Sequence, residues 1–386
     1  MTTLSENIVT KISSNVFYKE FTFDKNDFYP EDGKKELADN VLWLDNLLFI
    51  IQVKERNSID IKSEAEENKW FENTVLKTAK NQIKKSVDFF SKYDEIKVKN
   101  VRNHEIEISK ANLHDVNKVI IYMPNSTLIN EKNKSLKFYE SKLSGNIHIF
   151  NIEDYLWICK FLMTPTELDE YLKFRERIFL LHKEIITVYP EQYILGHFLN
   201  TEDATIIKEE FIKSFDKLVD DVGDFDVSGI LNNFLEKIHI EEQRKSTNYY
   251  AIIKEIAKLK RYELVEFKIR FSQIIEDVKS QKFSLPYRFT ITRTGCGFVF
   301  IPLQFDKISY WENALLNFTE LYKYKRKLSK CLGVLTFKTG EYFDIFWAYV
   351  EGDWKQNEEM DKAISESDKF YGESEHKQVD RYKLKE

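Results

Sequence analysis

One stretch of the sequence, ELADNVLWLDNLLFIIQVKER at residues 36–56, restricts the fold more than any other. Two apolar runs flank the dipeptide Asp45-Asn46, and both of these residue types tolerate the left-handed backbone of a two-residue turn. The pattern therefore predicts a β-hairpin whose turn lies at this dipeptide. Pairing across that turn places Asp39 directly opposite Gln52, with their Cβ atoms about 5 Å apart.

Alternation along the two strands separates their side chains into two faces. The face that carries Asp39 also carries Val41, Trp43, Leu48, Ile50, Gln52 and Lys54. The opposite face carries Leu42, Leu44, Leu47, Phe49, Ile51 and Val53. Both faces are apolar over most of their length, so we expect helices to cover both. An acid, an amide and an ammonium group converge at one end, and burying them without a cation or a phosphate would be unfavourable.

This arrangement resembles the PD-(D/E)XK phosphodiesterase superfamily, which has the restriction-endonuclease-like fold. In that superfamily an Asp near the start of one strand faces a (D/E/Q)-x-K tripeptide on the next strand. The corresponding positions in this sequence are Asp39 and Gln52-Val53-Lys54. The resemblance covers the N-terminal half of the chain, and the Gln-x-Lys variant is similar to that of Mrr-like restriction enzymes.

The resemblance implies a Mg²⁺ (or Mn²⁺) site and a catalytic lysine. Asp39, the side-chain oxygen of Gln52 and the carbonyl oxygen of Val53 would bind the metal, because Mg²⁺ requires oxygen ligands. Such a metal lowers the pKa of a bound water, and the ammonium of Lys54 would orient that water and stabilise the transition state. An acid of the first helix often completes the site, which points to Glu6, with Glu36 as the other candidate.

A long amphipathic helix is predicted at residues 70–93, directly after the motif strand and a charged connection at 56–68. Four of its polar side chains are candidate contacts to a nucleic-acid backbone: Lys77, Lys80, Gln82 and Lys84. A solvated helix face in a lysine-rich chain is the alternative explanation for any one of these lysines.

The order of the predicted elements indicates a mixed α/β (α+β) fold. A helix at 4–16, the hairpin, the long helix and three further strands at 104–109, 118–123 and 146–151 predict a mixed sheet with helices on both faces. We expect a nuclease-like domain at 1–185, a helical connector at 186–285 and a smaller α+β domain of unknown role at 286–386. The last domain contains two predicted hairpins, around Gly295–Gly297 and around Thr339–Gly340.

Composition excludes several other classes of function. The 58 basic and 64 acidic residues leave a net charge of −6, so any contact with nucleic acid requires a local basic surface. The three cysteines are far apart and the seven histidines form no H-x-x-x-H pair, which argues against a zinc enzyme. Neither a signal peptide nor an apolar run of membrane-spanning length is visible, so a cytoplasmic protein is expected.

The sequence thus predicts a metal-dependent nuclease that hydrolyses DNA in a restriction-like or antiviral defence setting, with RNA as an open alternative. By resemblance, a homodimer is expected, and the C-terminal half could contact a partner protein. The rival hypothesis is a catalytically inactive module that keeps the nuclease-like fold and binds nucleic acid or protein. Gln52 in place of an acid and the acidic net charge favour that rival.

Overall fold

The structure is a computed structural model in which the chain forms two compact units. It describes residues 3–57, 63–124, 128–141, 145–208, 210–213, 222–241, 247–282 and 284–367. The first unit consists mainly of residues 1–222, and the second consists of residues 223–380.

The first unit is built around a six-stranded mixed sheet. The strands of the whole unit are β1 (Thr22–Phe23), β2 (Asp27–Phe28), β3 (Lys35–Glu36), β4 (Asn40–Leu44), β5 (Leu47–Glu55), β6 (Lys97–Lys99), β7 (Glu105–Glu107), β8 (Asn117–Met123), β9 (Phe138–Ser141) and β10 (Gly145–Asn151). The main sheet has the order β1-β4-β5-β8-β10-β9, and β5, β8 and β10 run parallel. Two small sheets, β2-β3 and β6-β7, accompany it.

Helices cover both faces of this sheet. They are α1 (Leu4–Val16), α2 (Glu64–Trp70), α3 (Ala79–Lys92), α4 (Glu131–Lys134), α5 (Ile152–Phe161), α6 (Pro165–Ile186), α7 (Glu191–Asn200) and α8 (Glu210–Lys213). A π-helical segment, Phe71–Thr78, joins α2 to α3. One core lies between the sheet and α1, α5, α6 and α7, and the other lies between the sheet and the helix made of α2, the π-helical segment and α3.

The predicted hairpin is confirmed in its register. Leu44 pairs with Leu47 and Val41 with Ile50, as expected for a turn at Asp45-Asn46. Of the two turn residues only Asp45 is left-handed, with φ of 49°. The two faces of the hairpin belong to different cores. Val41 and Ile50 lie in the core with α3, whereas Leu42 and Ile51 lie in the core with α1, α5, α6 and α7.

The first helix also follows the prediction from sequence. It begins after Thr3, whose hydroxyl accepts a hydrogen bond from the Glu6 N–H, while the Glu6 carboxylate accepts one from the Thr3 N–H at 2.9 Å. This reciprocal capping box satisfies two backbone donors that a helix end otherwise leaves free. Glu6, one of the acids expected at the site, therefore also caps the start of α1.

Two expectations about the first unit require correction. The run 104–109 was expected in the main sheet, but it contributes β7, which pairs with β6 in a separate small sheet. In β7 the partly buried Ile106 lies between Glu105 and Glu107, a pattern that suits a strand at the surface. The long helix begins at Glu64 rather than near Trp70, because the Ser63 hydroxyl accepts from the Glu66 N–H and caps α2; residues 58–62 of the expected connection lie outside the described residues.

A buried ionic cluster joins α6 and α7 to the far side of the main sheet. Arg175 donates to both carboxylate oxygens of Glu191, at 2.7 and 3.1 Å, and to the Lys137 carbonyl at 3.0 Å. The hydroxyl of Tyr171 donates to the same carboxylate. Burial alone would raise the pKa of Glu191, but Arg175 and Lys137 outweigh it and lower that pKa to about 2. His148 is also buried, and its Nδ1 lies 3.2 Å from Arg175 Nη1.

The second unit has a four-stranded sheet in the order β11-β12-β13-β14. Its elements are α9 (Val222–Phe225), α10 (Ser228–Glu241), α11 (Tyr250–Ala257), α12 (Arg261–Lys279), β11 (Tyr287–Ile291), β12 (Cys296–Pro302), a 3₁₀ turn (Phe305–Tyr310), α13 (Trp311–Lys325), β13 (Lys330–Thr339), β14 (Tyr342–Glu351) and α14 (Glu358–Ser367). The central strands are parallel and are joined through α13, and each outer strand is antiparallel to its neighbour.

Both predicted hairpins of this unit are present, as β11-β12 and β13-β14. The helix α12 packs on one face of the sheet, where the rings of Phe267 and Phe300 lie 5.1 Å apart. The helix α13 packs on the other face against Val299 and Leu335.

The helices expected to form a separate connector at 186–285 are instead shared between the two units, with α7 in the core of the first and α12 on the sheet of the second. The expected limits at 185 and 285 therefore differ from the observed division near residue 222. None of the described helices is long and apolar enough to cross a membrane.

Candidate active site

Asp39, Gln52 and Lys54 meet where β5 approaches its carboxyl end. The ammonium nitrogen of Lys54 lies 2.8 Å from Asp39 Oδ2, 3.2 Å from Gln52 Oε1 and 2.9 Å from the carbonyl oxygen of Val53. Asp39 Oδ2 also accepts the N–H of Val53 at 2.6 Å. Three oxygen atoms thus surround one positively charged nitrogen, and they come from the positions that the sequence singled out.

The cluster is largely shielded from solvent. Gln52 is 2% exposed, and the side chains of Asp39 and Lys54 are 12% and 11% exposed. Charged groups in such a position interact more strongly than at an open surface. All the contacts of Asp39 described above use Oδ2, which leaves Oδ1 for a ligand.

The backbone before Asp39 is held by two buried residues that sequence reasoning missed. The side-chain oxygen of Asn26 accepts the N–H groups of Leu37 and Ala38, at 3.1 and 3.0 Å. The hydroxyl of Ser86 on α3 donates to the Leu37 carbonyl. Ser86 could have been noticed as a polar residue on the apolar side of its helix, whereas nothing in the loop sequence marks Asn26.

The three oxygens fit a divalent cation in number and type. All three lie within 3.2 Å of the Lys54 ammonium nitrogen, whose positive charge occupies the position between them. Mg²⁺ prefers oxygen ligands at about 2.0–2.1 Å and keeps several waters, so to bind it here the Lys54 ammonium would have to leave and the three oxygens would have to move closer together. The set contains one carboxylate, and among the described residues no three His, Cys, Asp or Glu side chains gather around a point that could hold a metal.

No family model, curated protein or solved structure matches this chain.

The chemistry of the site is therefore inferred from the groups that form it. A carboxylate, an amide oxygen and a carbonyl oxygen can bind a hard cation, and an ammonium group can bind a phosphate oxygen. The structure brings these groups together, with Gln52, Val53 and Lys54 on β5 and Asp39 directly before β4.

The two acids expected to complete the site lie in its neighbourhood. Partial burial raises the pKa of Glu36, and the carboxylates of Asp39, Asp27 and Glu6 raise it further. Asp39, Asp27 and Glu6 are therefore all close enough to repel the carboxylate of Glu36. Glu6 also caps α1. The residue before it, Ser5, donates its N–H to the Glu55 carboxylate at 2.8 Å. Glu55 immediately follows Lys54, so the first turn of α1 is anchored beside the site.

The four residues predicted to contact nucleic acid lie on the same long helix, but they differ in exposure and in their neighbours. Lys77, Gln82 and Lys84 are exposed. Lys80 is half-buried, and its ammonium lies 3.3 Å from the Tyr139 hydroxyl and over the ring of that residue. Tyr139 belongs to β9, and three strands separate β9 from β4 in the sheet. Lys80 is thus directed away from Asp39, while Gln82 lies one turn before Ser86, which contacts the segment leading to Asp39.

Proposed function

We propose that this chain is a metal-dependent phosphodiester hydrolase that acts on DNA, with its active site at Asp39, Gln52, Val53 and Lys54 in a restriction-endonuclease-like first unit. The observation that carries the proposal is the convergence of three oxygen ligands around the Lys54 ammonium. A mixed sheet with helices on both faces, and an acid placed opposite Gln-x-Lys on adjoining strands, support it. A role in restriction or antiviral defence is part of the same proposal.

The proposed roles follow from the chemistry of each group. Asp39 supplies the negative charge that attracts a cation, while Gln52 and Val53 supply neutral oxygens. A bound divalent cation would lower the pKa of a water molecule and neutralise charge on the phosphate. In hydrolysis the water oxygen forms a bond to phosphorus while the bond from phosphorus to the leaving oxygen breaks, and Lys54 stabilises the charge on the non-bridging oxygens.

The geometry also suggests how Lys54 is held before substrate arrives. An ammonium group has three N–H donors, and Lys54 directs its contacts at Asp39, Gln52 and Val53. A divalent cation held by those oxygens would displace the Lys54 ammonium, which would then donate to a phosphate oxygen of the substrate.

A specific observation favours the rival function, a nuclease-like module without catalysis. Lys54 already neutralises the one carboxylate of the cluster, and Gln52 adds no charge. A site of this kind binds Mg²⁺ more weakly than one with two carboxylates. In that case the first unit would bind nucleic acid through exposed groups such as Lys77 and Lys84.

Cleavage of plasmid DNA in Mg²⁺ or Mn²⁺ tests the proposal. We expect the parent chain to nick or linearise the plasmid and EDTA to stop it. Lys54→Ala and Asp39→Asn should each lower the rate by at least about 100-fold, because each removes a charge from the reacting centre. Gln52→Glu adds the commoner acid and should lower the Mg²⁺ concentration that gives half the maximal rate.

A matched control separates these roles from a general loss of positive charge. Lys173→Ala removes a half-exposed lysine of α6 that pairs with Asp169, and it should leave cleavage unchanged. Cleavage by Lys54→Ala and Asp39→Asn at the parent rate would refute the assignment of roles. A parent chain that binds DNA but cleaves neither DNA nor RNA with either metal would establish the rival function.

A further inference from the structure

The strand β14 differs from every other sheet edge among the described residues. It is ten residues long and lies at the end of its sheet, with β13 as its only paired neighbour in the described chain. The other edges of the two large sheets, β1, β9 and β11, have two, four and five residues. A long edge strand presents a row of unpaired backbone groups to any other extended chain.

Three common devices that protect such an edge, namely lysine, proline and a β-bulge, are absent from β14. Its sequence, YFDIFWAYVE, contains no lysine, arginine, proline or glycine, and it runs against β13 in unbroken register from Tyr342 to Glu351. The opposite edge of the same sheet is protected, since β11 follows Pro286 and its Arg288 carbonyl accepts a hydrogen bond from Arg270. Protection of one edge but not the other indicates that β14 has a partner.

The backbone of β14 shows which groups that partner would meet. On β13, the Thr336 carbonyl accepts the N–H of Leu303, which follows β12, so the Thr336 backbone points away from β14. Its partner across the pair, Ile345, must then direct its own N–H and C=O to the open edge, because opposite residues of an antiparallel pair share one orientation. Alternation gives the same outward orientation to Phe343, Trp347 and Tyr349.

The side chains of β14 are compatible with a second copy of the same strand. A two-fold axis perpendicular to the sheet at Phe346 would place Phe343 opposite the second copy's Tyr349, and Ile345 opposite the second copy's Trp347. Both are pairs of outward-facing residues, and each would exchange two hydrogen bonds. Asp344 would face Ala348, while Glu351 would lie at the end of the paired segment, level with Glu341 of the second copy.

We propose that β14 is a homodimer interface in which two copies of the chain join their four-stranded sheets into one continuous sheet. The occupant is a second copy rather than an unrelated strand because the outward-oriented residues Phe343, Ile345, Trp347 and Tyr349 pair with one another about Phe346. An isologous contact of this type closes after two chains and leaves no free edge at β14. The proposal does not depend on the chemistry at Asp39.

Sedimentation equilibrium of the full chain tests this interface. We expect the parent to reach twice the 46.1 kDa of one chain. Ile345→Pro removes an N–H that points to the open edge, which an edge strand tolerates, and it should raise the dimer dissociation constant by more than about tenfold. Ile345→Lys should do the same by placing a charge at the edge. A parent chain that stays monomeric at high concentration overturns the proposal.

Two further measurements keep this test decisive. Leu316→Lys makes the same chemical change at a residue of α13 that is 47% exposed, and it should leave the dimer intact. Hydrogen exchange should show that the amides of Ile345 and Trp347 become protected as concentration rises, whereas the amide of Phe346, which faces β13, is protected throughout. Dimers in the Ile345 variants, or protection independent of concentration, would overturn the proposal.

Discussion

At the scale of single residues, the position of Asp39 depends on side chains that make no contact with its carboxylate. Asn26 accepts two backbone N–H groups just before it, and Ser86 binds a carbonyl of the same segment. Both are 2% exposed, so water cannot replace their bonds. A loop residue and a helix residue together define where the acid stands relative to β5.

We expect Asn26→Ala to destabilise the protein by about 1–3 kcal/mol, because it leaves the buried N–H of Ala38 without an acceptor. Asn26→Asp keeps the accepting oxygen and loses the donation to the Phe23 carbonyl, so it should cost less. Urea unfolding of the two variants measures the difference. An equal cost for both would mean that the acceptor has no special role.

At the scale of elements, the second unit shows how closely a helix and a strand can approach. A Cβ added at Gly333 of β13 would lie 2.0 Å from the hydroxyl oxygen of Thr319 and 3.0 Å from a methyl carbon of Leu315, both on α13. The Thr319 hydroxyl donates to the Leu315 carbonyl at 2.6 Å, so it cannot turn aside freely. Glycine is required at this position for packing rather than for a turn.

Gly333→Ala should therefore destabilise the chain by about 1–3 kcal/mol or more, because an interior that is already packed has to shift. Removing the obstacle with Thr319→Ala should restore part of the loss, and the double variant should be more stable than Gly333→Ala alone. Thermal unfolding of the parent, both single variants and the double variant measures this coupling. Simple additivity of the two changes would contradict the contact.

At the scale of the whole molecule, each of the two units has one large sheet, and different groups stabilise the core of each unit. The cluster around Arg175 and Glu191 belongs to the first unit alone. Removing one member of a buried ion pair leaves the other without compensation, which typically costs about 3–5 kcal/mol. A change in this cluster is thus a probe of the first unit only.

We expect Arg175→Met to lower the unfolding temperature of the first unit and to leave the transition of the second unit in place. Arg177→Met, an exposed neighbour on α6, should change stability by less than about 0.5 kcal/mol. Calorimetry distinguishes the two transitions. A shift of both transitions by Arg175→Met would show that the units unfold as one.

The ion pair between Arg175 and Glu191 also predicts that the free energy of unfolding depends on pH. The folded pKa of Glu191 is depressed to about 2 from an ordinary value of 4.5. A depressed acid contributes stability that is complete above the unfolded pKa and is lost as the pH falls from about 4.5 towards 2. Glu191→Gln should therefore unfold with a weaker dependence on pH across that window, as urea titrations at several pH values would show.

Local patterns in the sequence predicted the hairpin best. A turn dipeptide between two apolar runs determines the register, so the meeting of Asp39 with Gln52 could be inferred from alternation alone. The start of α1 was also visible, since its capping residues are neighbours in sequence. The run at 104–109 shows the limit of this approach, because alternation identifies a strand without saying which sheet it joins.

The sequence by itself determined the first helix, the hairpin register and the residue types at the candidate site, because turns, caps and alternation depend on neighbours along the chain. Tertiary structure alone decided that Asn26 and Ser86 hold the segment before Asp39, that Lys80 turns towards β9, that His148 is buried beside Arg175 and that β14 is left at an edge. Each of these depends on contacts between residues far apart in sequence. Local patterns carry no information on such contacts, because they arise only when separate elements pack.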